Sequence, residues 1–406
     1  MANIIYYYQR SYSDRSRNRM QMPLEDIRVL DLSHVWFGPW CTMMMADMGA
    51  EVIRIEPPWG AIDRLAEGAL FGGASYTFHH LNINKKDLTL NLKDPEGLAI
   101  FKELVKKSDV VVQNFSPGTM EGLGLGYEVL KELNPGIIYA ALSGFGQTGP
   151  YREWRSYAMI AEAMSGHTML TGENADPEGP PVEMAQAYGD LGPGTMAVMA
   201  ILAALRYRDK TGKGQMIDVA QLDCMVAYNT AITGYLLSGL KPLELREKYP
   251  RGRGAGGIFE TKDGGYIRIA AFGPRALDRI VQHMGVELDD ISQEMMKEKV
   301  AGMNRDEAVE LFTGIGLPCA PVYHVDETVK DPHVLARDMF VEMEHPLAGK
   351  IKLVNFPLKF SETQPVLRTP APVLGQNNEE LLKELMGFDD DKIKDLMMKG
   401  VISYSG

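Results

Sequence analysis

Short apolar runs alternate with stretches of helical period along the first 230 residues. IRVLDLS (27–33) is a strand-like run; HVWFGPWCTMMMAD (34–47) follows and ends as a helix; EVIRIE (51–56) is strand-like again. DLTLNL (87–92) leads into EGLAIFKELVKKS, where apolar residues recur at helical spacing and lysines gather at the end. DVVVQNF (109–115) reads as a short buried strand, and NPGIIYAALSGFG (134–146) contains another. This alternation predicts parallel strands joined by crossover helices, the doubly wound α/β class. GTMAVMAILAALRYRDKTGKG (194–214) predicts a long apolar helix closed by Thr-Gly-Lys-Gly, and GQMIDVAQLDCMVAYN a strand running into a helix.

The pattern changes near residue 250. KYPRGRGAGG is basic and glycine-rich, a flexible loop by composition. GIFETKDGGYIRIAA predicts a hairpin turning at Lys-Asp-Gly-Gly, followed by a helical region over 275–315 and the strand LPCAPVYHV. The expected organisation is a large domain begun by 22–229, a smaller domain over 230–330, and a C-terminal part over 331–406 that completes the large one. KIKLVNFPLKF then reads as strands and NNEELLKELMG as a terminal helix. Residues 1–21 hold four arginines, one aspartate and no long apolar run, and are expected to be a flexible extension.

Composition narrows the function classes. The chain has 406 residues, 45% hydrophobic and 24% charged, an ordinary soluble balance. No run matches the ~20 apolar residues of a membrane span. The net charge of −12 argues against a nucleic-acid partner, which calls for a basic face. The three cysteines are scattered and form neither a disulfide framework nor a zinc pattern, so a reducing cytoplasm fits best. None of the eight histidines forms an i, i+4 pair with a nearby glutamate, and no metal site is expected. There is no G-x-S-x-G elbow and no Walker loop. GLGLGYE (122–128) lies far from the first strand, and the first loop, HVWFGPWC, lacks the glycines of a phosphate-gripping turn.

One stretch concentrates candidate chemistry. In AYGDLGPGTMAVMAILAAL, Asp190 stands between glycines before an apolar helix. It reads either as a cap or turn aspartate or as a carboxylate presented at a helix N-terminus, with glycines that let a ligand approach.

The chain resembles the class III CoA-transferases, the family of formyl-CoA transferase and carnitine CoA-transferase. The likeness runs from about residue 26 to about 400, through VLDLSHVWFGPWCTMMMADMGAEVIRIE, NINKKDLTLNL, VVQNFSPGTMEGLGLGYEVLKELNPGIIYAALSGFGQTGPY, YGDLGPGTMAVMAILAALRYRDKTGKGQMIDVA and APVLGQNNEELLKEL, in family order. It implies a Rossmann-like large domain built from both chain ends, an inserted smaller α+β domain, and a ring-like homodimer interlocked like chain links. A hetero-oligomer with a related subunit is the alternative assembly. It implies no permanently bound cofactor; coenzyme A enters as acyl-CoA substrate, with a carboxylic acid as the other partner.

The resemblance also assigns residues. Asp190 matches the family's covalent nucleophile, which passes CoA through mixed anhydrides and an aspartyl-CoA thioester. By family position the CoA contacts are Phe37, Asn84 and Lys85 of NINKK, Asn114 and Phe115 of VVQNF, and Arg155 of WRSYA. Gly254, Gly256 and Gly257 match a mobile loop that shields intermediates in some relatives; an ordinary hairpin lead-in is the other reading.

Two departures matter. Gly122 stands where many relatives carry an arginine, so Lys86, Arg54 or Arg152 is expected to supply a phosphate contact. Trp36 stands where formyl-CoA transferases carry a glutamine, and with Phe37 it suggests an apolar wall and a bulky acid. The rival within the superfamily is an acyl-CoA racemase. Its GHDINY-like stretch supplies a histidine for proton transfer, whereas EWRSYAM here has Glu153 at that position.

Overall fold

The computed structural model describes residues 22–65, 70–249 and 255–404. The principal elements of the first stretch are β1 (Arg28–Asp31), α1 (Phe37–Asp47), β2 (Glu51–Glu56), β3 (Lys86–Thr89), α2 (Pro95–Val105), β4 (Val110–Gln113), β5 (Ile138–Ser143), α3 (Ala158–Met164), α4 (Tyr188–Thr211), β6 (Gln215–Ala220) and α5 (Gln221–Tyr228). After them come α6 (Thr230–Ser238), β7 (Gly257–Glu260), β8 (Tyr266–Ile269), α7 (Pro274–Met284), α8 (Gln293–Ala301), α9 (Arg305–Gly314) and β9 (Cys319–Pro321). The chain closes with β10 (Phe340–His345), β11 (Gly349–Val354), α10 (Asn378–Met386) and α11 (Asp390–Met398).

Six strands form one parallel sheet in the order β3-β2-β1-β4-β5-β6, the doubly wound arrangement. Val29 lies beside Val52 on one side and Val110 on the other. These strands are covered on both faces, so they read as continuous apolar runs and not as alternating ones. One face packs on α1 and α4, through Met45, Ala197 and Ile201. The other packs on α2 and the C-terminal helices, through Phe101, Leu381 and Leu396. Edge strand β3 is tied to the C-terminal segment by Asn378, which accepts from Thr89 N at 2.8 Å and donates to Thr89 Oγ1 at 2.8 Å.

The chain divides into two compact units. Residues up to Asn229 and from Met339 onward form the first, and Thr230–Asp338 the second. The second unit therefore ends at Asp338, beyond the expected 330. It has its own core around Phe259, Ile267 and Phe312, and a three-stranded antiparallel sheet in the order β9-β8-β7. The expected hairpin at Lys262–Gly265 joins β7 to β8. Helix α4 is long and apolar enough to cross a membrane by length and composition, which the sequence reading did not anticipate; half of its apolar window is buried against the sheet and α1.

A buried ion network sits at the carboxyl edge of β2. The Arg54 side chain is 1% exposed and donates to Glu56 Oε1 (2.8 Å), Ser33 O (3.2 Å), Asn82 Oδ1 (3.1 Å) and both oxygens of Asp63 (2.8 and 3.0 Å). Arg64 joins Glu56 to Asp87, and both guanidinium groups lie over the Phe78 ring. Removing one partner of such a network leaves buried charge without compensation. Arg54→Ala should cost about 3–5 kcal/mol of stability. Urea unfolding of the variant against the parent measures this; a loss below about 1 kcal/mol would refute the network's structural role.

Candidate active site

The carboxyl ends of four neighbouring strands meet one small cavity. His34 follows β1, Asn114 follows β4, Gly144 follows β5 and Gln221 follows β6, and all four line a space of about 80 Å³ with Trp36, Ser156 and Asp190. Ligands of open α/β sheets bind at this edge, where the strand order reverses between β1 and β4.

The β1–α1 loop is held from beneath and from the side. Asp31 accepts from Ser33 N at 2.9 Å, Thr42 Oγ1 at 2.6 Å and Lys85 Nζ at 3.0 Å. Burial raises the Asp31 pKa, but the charges of Lys85 and Arg54 and the hydroxyl donors outweigh it and hold the group below its ordinary value. A Cβ on Gly38 would collide with Ser33, so a glycine is needed where helix and loop close together. Asn114 clasps the loop twice, accepting from His34 N at 2.9 Å and donating to His34 O at 2.8 Å. Val35 has φ +67, a left-handed conformation costly for a β-branched residue, and its N–H donates to Asp63 Oδ2 at 3.1 Å. Burial holds the His34 imidazole below its ordinary pKa, so it is neutral at pH 7.

Asp190 comes from the first turn of α4. Ala187 is the residue at the helix start and no side chain caps it, so Asp190 is not the cap aspartate. Its Oδ1 accepts a short hydrogen bond from Gln221 Nε2, and Gln221 Oε1 accepts from Ser156 Oγ at 3.0 Å. The Asp190 carboxyl is 6% exposed. Burial pushes its pKa up to about 7; the Gln221 bond opposes this, and the nearby Glu162 carboxylate adds to it. Glu162 accepts from Gly189 N at 2.7 Å, which fixes the residue just before Asp190.

The neighbouring glycines serve packing. A Cβ on Gly189 would lie 2.5 Å from Ala158 O, and one on Gly194 2.8 Å from Phe37 O. The spacing in GDLGPG thus lets α4 press against α3 and α1.

Several residues expected at the CoA site are engaged elsewhere. Lys85 is drawn fully inside, its ammonium donating to Asp31, Pro39 O (3.1 Å) and Asn82 Oδ1 (2.9 Å). Asn84, at φ +63, donates to Asp47 Oδ1 at 2.7 Å and accepts from Thr369 N at 3.0 Å. Both border a separate hollow of about 690 Å³ beside Arg368 and Glu380, not the cavity of Asp190. Arg54, expected as a substitute phosphate contact, has all its donors in the ion network. Phe37 is buried and packs in the core under the sheet, and it also borders the cavity beside Trp36. Phe115 packs on the opposite core, its ring 5.5 Å from that of His34.

Trp36 is half-buried and does line the cavity. Arg155 is exposed, next to the cavity residue Ser156, and Glu153 is exposed and outside the cavity lining. Gly256 and Gly257 belong to the second unit. A Cβ on Gly256 would sit 3.2 Å from Ile269 O, so that glycine lets β7 lie close to β8. Gly254 lies outside the described residues. Gln221, Ser156 and Glu162 were not anticipated; a glutamine ending a strand and a glutamate inside AMIAEAM carry no sequence signature.

Comparison with known proteins agrees with this geometry. Residues 24–378 match the model of CoA-transferase family III. The chain is 36% identical to human succinyl-CoA:glutarate CoA-transferase, over 94% of this chain and 90% of that protein. It is 34% identical to succinyl-CoA–D-citramalate CoA-transferase of Chloroflexus aurantiacus, over 95% of this chain and all of that protein. A CAIB/BAIF family protein from Brucella suis superposes with a TM-score of 0.79 at 29% identity, covering 90% of this chain and 99% of that one. The chain belongs to CoA-transferase family III. It is an enzyme of that class, moving CoA between acyl-CoA and carboxylic acids.

The buried carboxyl makes a stability prediction. Its folded pKa, about 7, exceeds the unfolded value near 3.8, so between those values the folded state binds the extra proton. Stability from this group is present below about pH 4 and is lost as pH rises toward 7. Asp190→Asn, which cannot ionise, should melt higher than the parent at pH 8, and the gap should close near pH 4. Thermal melts across that range test this; a variant less stable than the parent at pH 8 would contradict it.

Proposed function

We propose that this enzyme transfers CoA from a short acyl-CoA to a short dicarboxylic acid through a covalent intermediate on Asp190. The supporting observation is a buried carboxyl, held by a single amide, at the point where four strand ends converge. Asp190 Oδ2 attacks the acyl carbonyl carbon and the C–S bond breaks, giving a mixed anhydride and CoA thiolate. The thiolate attacks Asp190 Cγ and the Cγ–Oδ2 bond breaks, which releases the donor acid and leaves an aspartyl-CoA thioester. The acceptor carboxylate then attacks Cγ and frees the thiolate. The thiolate takes the acyl carbonyl of this second anhydride, giving the new acyl-CoA and restoring the Asp190 carboxylate. The covalent route divides one hard exchange into easier ones and keeps the thioester energy throughout. Each anhydride survives only where water is excluded, which burial of Asp190 favours.

The acceptor is read from the cavity and the relatives. About 80 Å³, lined by His34, Asn114 and Ser156, suits a compact polar acid. Trp36 and Phe37 also border it, but a space of that size leaves little room for a bulky apolar acid. The relatives named above act on succinyl-CoA with glutarate or D-citramalate. Arg155 is the exposed cation nearest in sequence to the cavity, and we assign it a CoA phosphate. A homodimer fits the apolar helix α6, in which no residue is buried and Leu236 and Leu237 are 75% and 84% exposed.

Three measurements test this reading. Incubation with succinyl-CoA and hydroxylamine, followed by peptide mass analysis, should place the hydroxamate on Asp190, and Asp190→Ala should abolish transfer while keeping the fold. A hydroxamate on another residue rules the nucleophile out. With succinyl-CoA as donor, glutarate and other four- to six-carbon diacids should exceed benzoate or isovalerate in kcat/KM by at least tenfold; the reverse order rejects the acceptor class. Light scattering should give twice the chain mass for the parent and a smaller species for Leu237→Glu, and a monomeric parent contradicts the dimer.

A further inference from the structure

Gln221 is the closest polar partner of the reacting carboxyl, and its geometry points to more than support. It is 4% exposed and begins α5 just past the end of β6. Its Nε2 donates to Asp190 Oδ1, and among the described residues no other group donates to that carboxylate. The amide cannot turn freely. The carboxylate takes the N–H edge, and Ser156 Oγ lies 3.0 Å from the carbonyl edge at Oε1, with Tyr157 O the hydroxyl's other acceptor at 3.2 Å. Ser156 in turn sits where a Cβ on Gly144 would strike it, so the three groups are locked edge to edge.

Following the oxygens identifies which step this donor serves. In the first attack Asp190 Oδ2 bonds to the acyl carbon, and negative charge builds on the acyl oxygen, which Gln221 does not touch. In the second, CoA thiolate bonds to Asp190 Cγ, the Cγ–Oδ1 π pair moves onto Oδ1, and an oxyanion forms on the atom that Gln221 already holds. Collapse restores the Cγ–Oδ1 double bond and breaks Cγ–Oδ2, so the donor acid leaves carrying Oδ2. The acceptor's attack on the thioester builds charge on Oδ1 again. Oδ1 thus stays on Cγ through both exchanges.

We propose that Gln221 is a catalytic residue whose amide N–H stabilises the oxyanion on Asp190 Oδ1 in the steps that make and break the aspartyl-CoA thioester, with Ser156 as its positioning residue. The inference rests on Asp190 being the nucleophile. A preset donor at a developing oxyanion is worth far more than a hydrogen bond in water, because nothing has to reorganise when charge appears. A neutral amide has a further advantage over a cation here. It lowers the basicity of the resting carboxylate, but by less than a positive charge would.

The test separates the two half-steps. Rapid-quench mass analysis with succinyl-CoA follows covalent CoA on Asp190, while a thiol reagent follows free CoA released by the first attack. Gln221→Met keeps the side-chain length and removes the donor. It should slow thioester loading by about 100- to 1,000-fold, while the first release of CoA changes by less than about tenfold, so free thiol accumulates ahead of the adduct. Ser156→Ala retains the donor and frees the amide, and should slow loading by about fivefold, the scale of one neutral hydrogen bond; this variant decides the matter if Gln221→Met fails to fold. Loading at the parent rate in the variants, or equal slowing of both steps, overturns the assignment while leaving Asp190 as nucleophile. An adduct on another residue in the parent overturns the reading of Asp190, and the role of Gln221 with it.

Discussion

The site depends on a charge buried beneath its first loop. Arg54 is surrounded by carboxylates and carbonyls at the end of β2, and through Ser33 O and Asp63 it reaches the β1–α1 loop. Desolvating a guanidinium is costly, and the group remains charged because Asp63, Glu56 and Asp31 offset that cost. Asp63 passes the constraint on, because the carboxylate that binds Arg54 also accepts from Val35 N. A β-branched residue at φ +67 persists only where its surroundings over-determine it. The ion network supplies that over-determination and keeps the loop's backbone against the cavity.

Asp190 presents the opposite problem. The nucleophilic role proposed for it requires the anion, in surroundings that disfavour the anion. Burial and the Glu162 charge both raise its pKa, and only the Gln221 amide opposes them. The protein therefore holds a group that destabilises the native state at neutral pH, which fits the proposal of a nucleophile kept basic and dry. Glu162 plays two parts. Its bond to Gly189 N anchors the start of α4, and its charge keeps the neighbouring carboxylate reactive.

Much of the frame was legible in the chain. Buried parallel strands need unbroken apolar runs, so IRVLDLS, EVIRIE and DVVVQNF announced themselves, and their alternation with helices fixed the class of sheet. Asp190 was legible because glycines flank it at the head of an apolar helix, although they turned out to admit α1 and α3 rather than a ligand. Lys85 and Asn84 are buried where a solvated turn was the plain reading, for a physical reason. NINKK has the composition of a solvated turn, and only the fold shows that Asp31 pulls one lysine wholly inside while the next, Lys86, reaches Glu51 and Glu380 at the surface. Phe37 stands at the first position of α1, where it both packs in the core and borders the cavity. Gln221 and Ser156 were invisible, since they meet Asp190 only when β6 and the segment before α3 arrive at the same edge.

The missing phosphate-gripping glycines in the first loop now have a structural explanation. A glycine-rich turn offers backbone N–H groups to a phosphate held at a helix N-terminus. Here the same edge of the same sheet is occupied differently. His34 and Asn114 clasp each other across β1 and β4, Trp36 stands at the head of α1, and the Gln221 amide holds the Asp190 carboxyl. Beside Trp36, Phe37, Leu142 and Tyr157, the polar groups lining the cavity include a neutral imidazole, amides and hydroxyls, with no lysine or arginine among them. A cation there would hold the Asp190 anion in place, but it would also lower the pKa on which the proposed nucleophilic role depends. Neutral donors avoid that conflict. They stabilise charge when it appears on an oxygen and take little from the resting carboxylate, which suits a site where negative charge moves between thiolate and carboxylates and is never discharged.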